Sequence, residues 1–157
     1  MPHNTYRNTG VAQNMMKDVV ISMHSVHGYD QDDRQEVDFT TDGYYFKKGD
    51  ASCFSYLETD VTGLEGTRTS VIVMPDHVVV DRDGYITSRM VFREGEKNSF
   101  PYDTPFGTAT LGVKTRRIKQ NFDENGGELE VDYVVDMEHA LVAKNKIQLS
   151  IREQRGV

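Results

Sequence analysis

Apolar and polar residues alternate with a period of two along most of this chain. In Glu128–Met137, Leu129, Val131, Tyr133, Val135 and Met137 share one face, and Glu130, Asp132 and Asp136 lie on the other. Ile147, Leu149 and Ile151 alternate with Lys146, Gln148, Ser150 and Arg152 in the same way. A period of two with one wet face is the mark of antiparallel strands. No stretch of comparable length reads as an amphipathic helix. The pattern predicts strands over Asp18–Val26, Gln35–Thr41, Tyr44–Lys48, Ser52–Glu58, Arg68–Met74, His77–Arg82, Tyr85–Arg93, Lys97–Tyr102, Thr108–Phe122, Glu128–Met137 and Leu141–Arg152. Between them stand Asp42-Gly43, Gly49-Asp50, Pro75-Asp76, Asp83-Gly84, Glu94-Gly95-Glu96, the Pro105–Gly107 loop and Asn125-Gly126-Gly127, all turn signals.

Short sequential connections favour an up-and-down meander. About eight to ten strands close economically into a barrel, because closure removes exposed edges. The expected fold is therefore all-β, a single antiparallel up-and-down β-barrel over residues 17–157, with an open two-sheet sandwich as the competing architecture. Residues 1–16 are polar and aperiodic and read as a flexible N-terminal extension, either a real tail or a start placed too early at Met1 rather than Met15 or Met16. One strand breaks its own pattern. Leu111 and Val113 share parity with Thr115, Arg117 and Lys119, yet Ile118 has the opposite parity. A bulge near Gly112, or an arginine pointing into the barrel, would resolve the conflict.

Length and composition then narrow the class. A chain of 157 residues suits one domain that needs neither disulfide nor metal to fold. Its single cysteine, Cys53, forbids an internal disulfide, and no apolar h-region or membrane-length run is present, so a cytoplasmic setting is expected. A formal net charge of −7 argues against a nucleic-acid binder and against an anionic membrane surface.

Few positions carry chemistry. The run Lys114-Thr-Arg-Arg-Ile-Lys119 faces an acidic neighbour strand, which suits a charge-matched hairpin. The loop Thr62–Thr69 places glycines 63 and 66 around Glu65. It reads as a barrel-end loop needing positive φ, with an anion nest as the functional alternative. Asp30, Asp32 and Asp33 lack the glycine and glutamate offsets of a calcium loop, and His24 and His27 fall on opposite faces of a strand. Cys53 reads as a small buried hydrophobe. No cofactor, metal site or catalytic residue is named, because no nucleophile–base pair can be identified. Arg68, Arg89 and Arg116 lie inside strands rich in apolar residues. Any that points inward needs a carboxylate, from a ligand or from an internal Glu58, while each could equally face outward. Tyr56, Tyr102 and Phe106 could line a mouth or belong to the core.

An ordered series of blocks resembles the YwiB-like family of small bacterial proteins of unknown function. The blocks are Thr62–Thr69 (TGLEGTRT), Met90–Glu94 (MVFRE), Thr104–Gly107 (TPFG), Leu111–Arg117 (LGVKTRR) with Ile118, Gly126–Leu129 (GGEL) and Asn145–Ile151 (NKIQLSI). The similarity covers about residues 17–152. It implies a calycin-like, lipocalin-type barrel and no activity. The leading functional expectation is a lumen or mouth that takes a small, partly apolar, anionic molecule, with Arg68, Arg89 and Arg116 supplying charge and Tyr56, Tyr102 and Phe106 the walls. The alternative is a non-catalytic interaction module with a filled core, meeting a protein partner or a second copy.

Overall fold

The computed structural model describes residues 16–28, 33–138 and 141–154, the side chains of 141 and 142 excepted. The expected N-terminal extension lies outside the described residues, apart from Met16, as does most of the turn from 28 to 34.

Ten strands form one closed antiparallel barrel in which every strand pairs with its sequence neighbours and β1 closes on β10. They are β1 (Lys17–Gly28), β2 (Gln35–Lys48), β3 (Ala51–Leu57), β4 (Thr67–Val73), β5 (Val78–Gly84), β6 (Thr87–Phe92), β7 (Lys97–Thr104), β8 (Gly107–Asp123), β9 (Gly126–Met137) and β10 (Leu141–Glu153). Closure excludes the sandwich. At one end, the floor, lie the β2–β3, β4–β5, β6–β7 and β8–β9 turns. At the other, the mouth, lie the 58–66 loop, the turns at 85–86 and 105–106, and the ends of β1 and β9.

Three sequence expectations are corrected. Asp42-Gly43 is no hairpin: β2 runs unbroken through it. A Cβ on Gly43 would stand 2.5 Å from both Ile21 Cδ1 and the Ser55 carbonyl oxygen, so this glycine serves close strand approach rather than a turn. Asp83-Gly84 closes β5 instead of turning. Gly84 has φ 144°, a conformation that admits glycine, and a side chain there would collide with Gly66. The bulge in β8 falls between Thr115 and Arg117, not near Gly112. It shifts the inward parity, so Val113 and Thr115 face the lumen before it and Ile118 and Phe122 pack on the core after it. The extra residue leaves both Arg116 and Arg117 exposed.

Inward residues of the floor half are apolar except for the buried Ser52. Val19, Ile21, Val73, Val78, Phe92 and Ile151 are all but inaccessible, and Phe122 stacks between Tyr45 and Phe54 with centroids 6.1 and 6.4 Å away. Tyr45 satisfies its hydroxyl by donating to the Asp123 carbonyl at 2.6 Å.

Candidate functional site

The inner wall changes character toward the mouth. One row of paired residues crosses β3 to β7: Tyr56 opposes Thr69, Thr69 opposes Arg82, Arg82 opposes Ser88, and Ser88 opposes Tyr102. The row faces inward because it shares parity with Val71, Val80 and Met90 on the same strands. Arg82 is thus the strand arginine that enters the barrel. Its side chain is 20 % exposed.

Above it stands Glu58, whose side chain is 2 % exposed. Thr62 Oγ1 donates to Glu58 Oε1 at 2.8 Å, and Thr69 Oγ1 donates to Oε2 at 2.5 Å. Two hydroxyl donors offset much of the cost of burying the carboxylate. Thr62 reaches it because Gly63 and Gly66 take φ values of 77° and 89° and curl the loop. That is the barrel-end loop expected from the sequence. Arg82 Nε approaches Glu58 Oε2 only to 4.0 Å, an ion pair without a hydrogen bond. Nε is buried and has no hydrogen-bond partner among the described residues. Ser88 Oγ and Thr115 Oγ1 are likewise buried and unpartnered. Thr115 opposes Tyr133 on β9, and Tyr133 in turn opposes Asn145 on β10.

Burial, followed by the Glu58 carboxylate, pushes the Tyr56 hydroxyl far above its ordinary range, against the pull of Arg82. Burial pushes Tyr133 up to about 12, with Arg82 again opposing. Both rings are therefore neutral hydrogen-bonding groups at physiological pH. The arrangement offers an inward guanidinium beside a buried carboxylate, with neutral hydroxyls and aromatic walls. That set can hold an anionic group beside an apolar body.

The sequence-selected residues divide. Tyr56 and Tyr102 lie in the inward row with Arg82. Arg68 and Arg89 do not: both are exposed on the outer wall, where Arg89 Nη1 donates to Asp81 at 2.8 Å. They share an outer groove of about 680 Å³ across β2–β7 with Tyr44, Phe46 and Ile72. The physical reason is parity, since Val71, Val73, Met90 and Phe92 take the inward positions of β4 and β6. Arg116 is also outward and lines a different groove, of about 670 Å³. Phe106 projects from the β7–β8 turn at 91 % exposure and walls nothing. Cys53 is half-buried on the outer groove rather than in the core, and its thiol is pushed up by burial against Lys47. His24 and His27 pair separately, with Asp38 and Gln35. Opposite charges do face each other across β8 and β9, as Lys119 with Glu130 and Arg117 with Asp132. The close contacts of Glu130, however, go to Gln148 at 2.8 Å and Lys146 at 3.8 Å.

With the fold and these positions in place, similarity to known proteins becomes informative. Residues 21–149 match a family described as a domain of unknown function, DUF1934. The chain belongs to that family. It is 29 % identical over 120 residues to the uncharacterized beta-barrel protein YwiB of Bacillus subtilis strain 168, covering 76 % of this chain and 83 % of the relative. The crystal structure of the ywiB protein from Bacillus subtilis superposes with a TM-score of 0.80 at 22 % identity, over 90 % of this chain and 94 % of the other. The family resemblance carried by the sequence blocks and the barrel architecture both stand on these findings. The DUF1934 description assigns no activity.

Proposed function

We propose that this DUF1934 barrel binds a small, anionic, partly apolar molecule at its mouth, as a calycin-like carrier or sensor in the cytoplasm. Arg82 contacts the anionic group, and Tyr56, Tyr102 and Tyr133 border the rest. The carrying observation is the Arg82 side chain: a guanidinium inside the barrel whose buried Nε lacks a hydrogen-bond partner and whose carboxylate neighbour is already held by two threonines. A buried donor left unmade costs about 1–3 kcal/mol. An acceptor arriving with a ligand removes that cost. The walls support a water-bathed barrel, because the lumen is apolar at the floor and the outer strands carry exposed charges such as Arg68, Lys114 and Arg117. A membrane barrel has the opposite arrangement. A reducing compartment suits the lone thiol of Cys53.

The test uses 1-anilinonaphthalene-8-sulfonate, an anionic aromatic probe. The wild type should bind it saturably with enhanced fluorescence. Arg82→Met should weaken binding roughly tenfold or more, because a charge-assisted hydrogen bond contributes about 1.5–3 kcal/mol. An Arg68→Met/Arg89→Met variant should bind as the wild type does. Equal binding by Arg82→Met and wild type would overturn the reading.

A second reading, an interaction module, draws on the outer groove with Tyr44, Phe46 and Ile72, where Tyr44 is exposed. Under it, Tyr44→Lys would abolish a self-association or partner contact detectable by sedimentation and leave the probe unaffected.

A further inference from the structure

The bulge in β8 has a chemical consequence on the outer wall. In a regular strand, consecutive residues point to opposite faces. The extra residue between Thr115 and Arg117 breaks that rule and leaves Arg116 and Arg117 both exposed. They border a groove of about 670 Å³ together with Arg34 ahead of β2 and Lys144 and Lys146 on β10. Five cations from three separate parts of the chain thus share one concavity, with Asp132 as its carboxylate. This happens in a protein whose net charge is −7. Among the described residues, Arg34, Arg116, Arg117 and Lys144 make no ion pair, and Lys146 has only a 3.8 Å approach to Glu130. Asp132 and the neighbouring Glu130 offset only part of this charge, and the remaining like charges repel one another. Bulges that re-aim side chains are common beside functional sites.

We infer that this outer groove is an anion site, separate from the mouth, for a compact and multiply charged phosphate-bearing small molecule. Arginine pairs suit phosphate because the guanidinium fork donates two parallel hydrogen bonds. Compactness follows from the surroundings. Along the same wall, the adjoining groove is lined by Asp38, Glu128 and Glu130. A nucleic-acid strand leaving the basic groove would run over those carboxylates, whereas a small polyphosphate ends before them.

The experiment is calorimetric titration of the full chain with inorganic tripolyphosphate at low ionic strength. One saturable site is expected. Arg116→Gln/Arg117→Gln should weaken it at least tenfold, and so should Lys144→Gln/Lys146→Gln, which leaves the bulge intact and guards against a folding defect in the first variant. Raising salt should weaken wild-type binding steeply. Arg82→Met should bind tripolyphosphate unchanged, so this site and the mouth fail or stand independently. Absence of binding, or binding indifferent to both double variants, would overturn the inference. So would a short single-stranded RNA binding more tightly than tripolyphosphate, which would assign the groove to nucleic acid.

Discussion

The floor and the mouth of this barrel are built to different rules. At the floor, Val73 opposes Val78 and Val78 opposes Phe92, and all three are buried and apolar. Tyr45 there satisfies its hydroxyl on a backbone carbonyl. At the mouth, the corresponding inward row reads Tyr56, Thr69, Arg82, Ser88 and Tyr102. Two buried polar atoms in that row, Arg82 Nε and Ser88 Oγ, have no partner among the described residues. Folding alone does not ask for them, since well-packed apolar residues are often as stable as a buried ion pair or more so. The floor secures closure of the barrel, and the mouth gives up some stability for a polar surface. That trade is the usual mark of a binding site.

The comparison can be broken most severely at the floor. Phe92→Ala removes a side chain that is 1 % exposed and contacts the Tyr133 ring at a centroid distance of 4.7 Å. It should destabilise the fold by about 3–5 kcal/mol in chemical denaturation. Alkaline pH should strike next. Tyr133, raised to about 12, and Tyr45 and Tyr56, also raised by burial, are neutral in the fold. Their contribution to stability is complete below the unfolded tyrosine value of about 10 and is lost as pH rises through the folded values. The part of the tyrosinate absorbance that comes from these buried rings should therefore rise together with unfolding above pH 10, and Tyr133→Phe should delay the unfolding. Gly43→Ala forces the β2–β3 pairing apart against the Ser55 carbonyl and should cost about 1–3 kcal/mol. At the mouth, Arg82→Met leaves the buried Glu58 carboxylate without its cation but with its two threonine donors, and should cost about 1–3 kcal/mol, less than Phe92→Ala. A loss as large as that of Phe92→Ala would make Arg82 a structural residue and erase the contrast. On the outer wall, Arg89→Ala breaks an exposed pair with Asp81 and should register below about 0.5 kcal/mol.

The sequence disclosed the floor better than the mouth. Clean alternation in β9 and β10 made their inward faces readable, and the meander followed from short turns. Glu58 was also legible as an internal carboxylate, since it continues the parity of Phe54 and Tyr56. Arg68 and Arg89 misled because Ile72 and Val91 place apolar side chains on the outer face of the same strands and blur the alternation. Counting parity from Val71 and Val73, and from Met90 and Phe92, would have sent both arginines outward. Arg82 stayed hidden for the reverse reason. Val78, Val79 and Val80 are consecutive, so β5 has no readable parity, and only the pairing of Val80 with Val71 fixes which way Arg82 points. Gly43 looked like a turn because Asp-Gly is a hairpin signal, and close packing against Ile21 leaves no trace in local sequence.

The most direct test of the binding barrel is native mass spectrometry of protein purified gently from its own cells, wild type beside Arg82→Met, each compared with its denatured mass. The account predicts an added small mass on the wild type that leaves on denaturation and is missing from the folded variant. The same added mass on both proteins, or a bare mass on both together with equal probe binding, would contradict it.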